Sequence, residues 1–259
     1  MTKQNNSNHT APKNAPKSAP KSAMVLAAGF GTRMRPLTDT QPKPMVPVVG
    51  RSLIDRVLDR LEEANVKNIV VNIHYLGDQI EQHLKNRSSS TIKISHEETL
   101  LDTGGGIANA LPLLGKDPFY VINSDALWLN GYEDTLSRLA KIWDDSKMDA
   151  LLLLHSTVEA YGYDGTGDFT IDPAGALQRR PEAEVSPFLY TGIQILHPRL
   201  FKKVPEGAFS LNQLYDDAID KDRLYGIVHD GEWFHVGTVE SLKEAENYIQ
   251  ARYAGTRHR

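Results

Sequence analysis

Residues 24–48 read MVLAAGFGTRMRPLTDTQPKPMVPV. The apolar run AMVLAA (23–28) has no alternation, as expected for a short strand buried on both faces. It breaks into Gly29 and Gly31, and Arg33, Arg35 and Lys43 follow among Pro36, Pro42, Pro44 and Pro47. Working outward, the same alternation of strand and helix recurs. Ser52 is placed to cap a helix reaching about Ala64, with Leu53, Val57, Leu58 and Leu61 on one face. Strands are expected at 68–73 (NIVVNI), 91–97, 119–125 (FYVINSD) and 149–155. Helices are expected at 76–85, at 105–114 directly after a glycine run, and near 132–143. Repeated strand–helix units predict an α/β fold: a mostly parallel sheet, right-handedly connected, with helices on both faces.

Past about residue 160 the texture changes to a less regular, β-containing C-terminal third. GYDGTGDFTIDPAGALQRR has the Gly and Asp density of a hairpin or meander, and 188–197 reads as a strand. Ser210 is placed to cap a helix to about Ile219. Residues 224–237 read as two short strands around the Asp230-Gly231 turn, and 239–253 as a closing helix. No linker interrupts the region, so 23–259 is read as one domain. Residues 1–22 carry APKNAPKSAPKSA and are expected to be a disordered Pro/Lys-rich tail, either a basic tether or a translated leader.

The totals exclude several classes. With no cysteine among 259 residues, disulfides, thiolate metal sites and a Cys nucleophile are ruled out. A net charge of −4 gives no support to nucleic-acid or membrane-surface partners. No apolar stretch of membrane-spanning length is present, so no transmembrane helix is expected; a cytoplasmic location is the default expectation, and a monomer or small homo-oligomer the expected assembly.

Three nucleotide loops compete for GFGTRMRP. A P-loop needs a terminal Gly-Lys-Ser/Thr, which is missing. A dinucleotide fingerprint needs a third glycine where Met34 stands, and Pro36 opposes an immediate long helix. A glycine loop wrapping phosphate with its backbone N–H groups remains, beside the plainer reading of a simple turn. The cations favour phosphate, because Arg offers a planar fork and Lys a point charge, with Asp39 the only acid nearby.

The combined pattern LAAGFGTRMRPLT…PKPMVPV resembles the signature of the sugar-1-phosphate nucleotidylyltransferases. The resemblance runs from about 23 to 253 and implies the nucleotide-diphospho-sugar transferase type of Rossmann-like fold. It implies that Ala27, Ala28, Gly29, Gly31 and Thr32 hold a nucleoside triphosphate, and that Arg33 and Lys43 are catalytic cations at its phosphates. LDTGGGIANAL (101–111) matches the base-pocket segment, which implies base contacts from Gly104 and Gly105, with Glu97 nearby. VINSDAL (121–127) matches a strand ending in Asn-x-Asp. That implies Asn123 toward the sugar phosphate and Asp125 on Mg²⁺, with Mn²⁺ as an alternative; an N-cap or turn role is the plainer reading of Asp125. GTGDF (165–169) and YTGIQIL (190–196) match segments bordering the sugar, which implies Asp168, Thr191 and Gly192.

Two segments depart from the family pattern. EWFHVGTVESL (232–242) carries His235 where relatives have Asp. Imidazole is a softer ligand than carboxylate, so His235 ligates the metal, contacts phosphate, or marks an impaired site. LQRRPEAEV (177–185) carries Arg179 and Arg180 where relatives read Glu-Lys. Arg180 would hold the sugar-bound phosphate, and Arg179 a sugar carboxylate, unless the pair is an exposed basic hairpin. DTGGGI (102–107) and LHPRLF (196–201) look most like the branch that uridylylates N-acetylmuramate-1-phosphate. Mannose-1-phosphate guanylyl and glucose-1-phosphate thymidylyl transfer are the alternatives, as is a catalytically silent nucleotide-sugar-binding homologue. The expected chemistry is attack of a sugar-1-phosphate oxygen on the α-phosphorus, with pyrophosphate leaving.

Overall fold

The computed structural model describes residues 19–256. The opening apolar run forms β1 (Ser22–Leu26), with Ala23, Met24 and Val25 fully buried. There follow β2 (Pro47–Val48), β3 (Arg51–Ser52), α1 (Leu53–Glu63), β4 (Asn68–Ile73), α2 (Gly77–Leu84), β5 (Thr91–His96) and α3 (Asp102–Leu114). Next come β6 (Phe119–Asn123), β7 (Ala126–Trp128), α4 (Thr135–Ile142) and β8 (Ala150–Ser156). The C-terminal third holds β9 (Phe169–Ile171), β10 (Leu177–Arg179), β11 (Phe188–Leu196), α5 (Asn212–Ile219), β12 (Leu224–Val228), β13 (Trp233–His235) and α6 (Val239–Thr256).

The central sheet runs β10-β9-β11-β6-β1-β4-β5, with β8 and β12 continuing from β11. β6, β1, β4 and β5 are mutually parallel, Val25 pairing with Val71 on one side and Ile122 on the other. β11 runs antiparallel to β6 and to β8, and β12 is again parallel to β8. Period-2 alternation splits the core into two layers. Ala23 and Val25 pack with Val57, Leu58 and Leu61 of α1, Ile80 of α2 and Leu136 of α4. Met24 packs on the other side with Ile107 and Ala110 of α3 and Leu214 of α5. Burying each such large side chain contributes roughly 1.5–3 kcal/mol. Ser52 caps α1, its Oγ accepting from the Asp55 N–H at 3.2 Å. Among the described residues, no helix is long and apolar enough to cross a membrane.

Four expectations are corrected. The expected tail, 1–22, lies mostly outside the described residues, but Pro20 is buried and Ser22 begins β1. Helix α3 starts at Asp102, so the glycines form its first turn instead of preceding it; the Phe209 carbonyl takes the Gly104 and Gly105 N–H groups at 2.9 and 3.1 Å. β12 and β13 flank the Asp230-Gly231 turn without pairing: β12 joins β8, and β13 joins β7. α5 begins at Asn212 with Leu211 at its cap position, while the Ser210 hydroxyl, one residue earlier, still accepts from the Asn212 N–H at 3.3 Å.

Candidate active site

The parallel strands β1, β4 and β6 end together, and ligands bind at that carboxyl edge in open α/β sheets. Beyond β1 the chain turns at Gly31, whose φ of 64° is the left-handed conformation that glycine adopts freely. A Cβ there would also lie 2.9 Å from Lys43 Cβ, so glycine admits the lysine to the loop. Thr38 Oγ1 donates to the Gly31 carbonyl at 2.9 Å and holds the turn. Thr32–Met34 form one short helical turn in which Met34 is fully buried, leaving Arg33 projecting outward. Lys43 sits between Pro42 and Pro44 at the start of another short turn.

Asp125 lies in the turn between β6 and β7, two residues past the end of the strand expected to contain it. Its Oδ2 accepts from Lys43 Nζ at 2.5 Å. Burial alone would raise the Asp125 carboxyl, but the Lys43 ammonium, by charge and by hydrogen bond, holds it below the usual carboxylate range. The β13–β7 register places His235 opposite Ala126, next to Asp125. His235 Nε2 stands 3.4 Å from the Arg33 guanidinium. Burial, then the Arg33 and Lys43 charges, push its imidazole below the ordinary range, which keeps it neutral near pH 7.

Arg33, Lys43 and Asp125 line a cleft of about 340 Å³, which His235 borders through its contact with Arg33. Ala27, Ala28, Gly29, Gly31, Thr32, Arg33, Lys43, Asn123 and Asp125 all line it, so one wall was legible in the first half of the sequence. Asn72, Ser124, Asp102 and Thr103 also line it and were missed. Asn72 had a usable signal, being polar near the carboxyl end of an apolar strand. Asp102 and Thr103 were obscured by starting α3 too late.

The base-side expectations change. Gly104 and Gly105 do not line the cleft: their N–H groups are taken by Phe209, and added Cβ atoms would collide with the Phe209 ring and the Gly207 carbonyl. These glycines serve helix packing. Glu97 is also behind the wall, 6% exposed, accepting from Asn72 Nδ2 at 2.7 Å and from the Leu101 N–H at 2.9 Å.

The sugar-side residues divide similarly. Gly192, with φ 81°, lies so close to Asn123 that a Cβ would be 2.7 Å from Asn123 Nδ2, so it makes room for a cleft residue. Thr191 is buried and donates to the Leu153 carbonyl at 2.8 Å. Asp168 accepts from the Tyr190 N–H at 2.7 Å. Arg180 spends its guanidinium on the carbonyls of Gly167, Pro181, Glu182 and Glu184. Arg179, expected to face a sugar carboxylate, pairs instead with Asp216 at 2.6 Å, binds Asn212, and lies over the Phe169 ring at 4.9 Å. That charge already has its partners inside the protein.

Two side chains would offer donors to a divalent cation here. Asp125 offers a hard carboxylate and His235 a neutral nitrogen, and among the described residues no cluster of three or more His, Asp or Glu could hold an ion. The protein would thus supply two ligands at most and substrate phosphates the rest, the usual arrangement for Mg²⁺ in phosphoryl transfer.

Residues 22–252 match the nucleotidyl transferase family model. The chain is 42% identical to an N-acetylmuramate alpha-1-phosphate uridylyltransferase of Caulobacter vibrioides, over 86% of this chain and 95% of that one. It is 38% identical to a protein of the same name from Neisseria meningitidis, over 86% of this chain and 96% of that one. Among solved structures, UDP-glucose pyrophosphorylase complexed with UDP-glucose superposes with a TM-score of 0.73 at 21% identity, covering 90% of this chain and 99% of that one. HddC from Yersinia pseudotuberculosis complexed with GMP-PN gives 0.71 at 23%, covering 88% and 99%.

Proposed function

The chain belongs to the nucleotidyl transferase family, and we propose that it transfers the uridylyl group of UTP to N-acetylmuramate α-1-phosphate, releasing pyrophosphate and forming a UDP-sugar. Carrying this reading is the 42% identity to an enzyme so named over nearly the full length of both chains, combined with a cleft that keeps Arg33, Lys43 and Asp125 together. Consumption of such a sugar phosphate fits cytoplasmic recycling of cell-wall material.

In the reaction, a sugar-phosphate oxygen forms a bond to the α-phosphorus while the bond from that phosphorus to the pyrophosphate oxygen breaks. The attacking phosphate monoester is already ionised near neutral pH, so no protein base is required. Chain residues position and neutralise. Ala28, Gly29, Gly31 and Thr32 line the cleft, where their backbone N–H groups would serve the phosphates. Arg33, held against His235, meets charge developing on the leaving pyrophosphate. Lys43, packed beside Gly31 and paired with Asp125, would neutralise the α-phosphate, and Asn123 would orient the sugar phosphate. Asp125 and His235 would hold Mg²⁺, which when bound neutralises and aligns phosphate oxygens.

Pyrophosphate release decides the matter, measured across UTP, GTP and dTTP, each with N-acetylmuramate-, mannose- and glucose-1-phosphate, in Mg²⁺ or Mn²⁺. The expected result is turnover greatest with UTP and N-acetylmuramate-1-phosphate. Turnover only with GTP and mannose-1-phosphate would replace this assignment, and no turnover with any pair would make the chain a binding homologue.

A further inference from the structure

The loop after β1 and the start of α3 both line the cleft, yet they are far apart in sequence and share no strand. Two buried side chains join them. The Ala27 N–H, at the root of the phosphate loop, donates to Asn72 Oδ1 at 2.8 Å. Asn72 Nδ2 donates to Glu97 Oε1 at 2.7 Å, and Glu97 Oε2 accepts from the Leu101 N–H at 2.9 Å, at the entry to α3. Ala27, Asn72 and Glu97 are 2%, 3% and 6% exposed. The backbone of Glu97 is itself pinned: its N–H donates to the Ile73 carbonyl at 3.0 Å, and its carbonyl accepts from His74 Nδ1 at 2.9 Å. Gly106 completes the fit, since a Cβ there would fall 2.6 Å from Glu97 Oε1 and 2.8 Å from Asn72 Nδ2.

We propose that Asn72 and Glu97 are a positioning pair that sets the spacing between the phosphate loop and the start of α3, and through it the affinity for the nucleotide. The kinetic half of this rests on the nucleotidyl-transfer reading above. Each link has one donor and one acceptor, so the direction of the chain is fixed by which residue is the amide and which the carboxylate. Asn72→Asp sets two carboxylates against each other. Glu97→Gln leaves its amide facing either the Asn72 amide or the Leu101 N–H. In the double variant every link is remade with the middle one reversed. The carboxylate now at position 72 accepts from the Ala27 N–H and from the side-chain amide now at position 97, whose carbonyl oxygen accepts from the Leu101 N–H.

The test compares the wild type with N72D, E97Q and N72D/E97Q. Hydrogen exchange of the Ala27 and Leu101 amides in the ligand-free protein reads the link itself. Both amides should exchange faster in each single variant and regain protection in the double. Steady-state kinetics read the function. Each single change should raise KM for UTP roughly tenfold or more, with KM for the sugar phosphate moved less than about twofold, and the double should return to within about threefold of wild type. Amides that stay unprotected in the double would overturn the link. Restored amides with KM for UTP still raised would overturn the positioning role, and show that a side chain of the pair, Asn72 in the cleft lining first, acts on the nucleotide itself. If the wild type does not turn over UTP, the substrate assignment fails, while amide exchange still judges the pair.

Discussion

Two glycines two positions apart do different jobs. Gly31 needs its left-handed φ and has Lys43 Cβ within 2.9 Å of any added methyl, whereas Gly29 has nothing within 4 Å. Gly31→Ala should therefore lower stability by about 1–3 kcal/mol in denaturant titration and displace Lys43. Gly29→Ala should leave stability within about 0.5 kcal/mol, so any activity it loses reports crowding of bound phosphate. Equal stability of the two variants would refute this division. His235 is tested by metal response. Replacing a neutral imidazole with the harder carboxylate, His235→Asp should lower the Mg²⁺ concentration for half-maximal rate, and His235→Ala should raise it several-fold. Unchanged Mg²⁺ response in both would leave His235 only as the partner of Arg33.

Most elements were legible because their periodicity is local. α1, β4 and β5 fall where cap and pattern put them, since Ser52 and the spacing of Val57, Leu58 and Leu61 specify one helix with one buried face. The errors arose where distant backbone decides. α3 starts three residues early because the Phe209 carbonyl satisfies its first N–H groups, and β13 ignores its sequence neighbour because β7 offers an edge. One such long-range element contact carries a prediction. Arg87, beyond the end of α2, reaches Asp55 at 2.9 Å, Asp59 at 2.7 Å and Glu62 at 2.9 Å on α1, with its side chain 13% exposed. Burial would raise Asp55 and Asp59. Ser52, His83 and Arg87 at Asp55, and Arg51 and Arg87 at Asp59, outweigh it and lower both. Depressed folded-state values mean stability that is present above the unfolded pKa of about 4 and lost as pH falls through the folded values. Arg87→Met should cost about 3 kcal/mol at pH 7, and the gap to wild type should narrow as pH drops below about 4. A gap independent of pH between about 3 and 7 would show that Arg87 acts by packing alone.

Across the whole molecule, the cleft wall built from residues 27–43 was readable because those residues lie in one contiguous segment. The sugar side was not: Arg179 looked free because its partners, Asp216 and Asn212, stand on α5, more than thirty residues on. The same long-range logic governs a third apolar cluster that no local pattern announces. Leu242, Ala245 and Ile249 of α6 pack with Met34 of the phosphate loop and with Phe234 of β13. The chain neighbours of those two are Arg33, which lines the cleft, and His235, which is in contact with it. The closing helix therefore clamps both, and displacement of a catalytic group by about 1 Å can cost on the order of a hundredfold in rate. Ile249→Ala should lose about 2–4 kcal/mol of stability and lower kcat/KM about tenfold at a temperature well below its melting point. Leu114→Ala, at the far end of α3 in the opposite core layer, should lose similar stability and keep kcat/KM within about twofold. Matched losses of activity in the two variants would mean that overall stability, and not the docking of α6 on the loop, sets the rate.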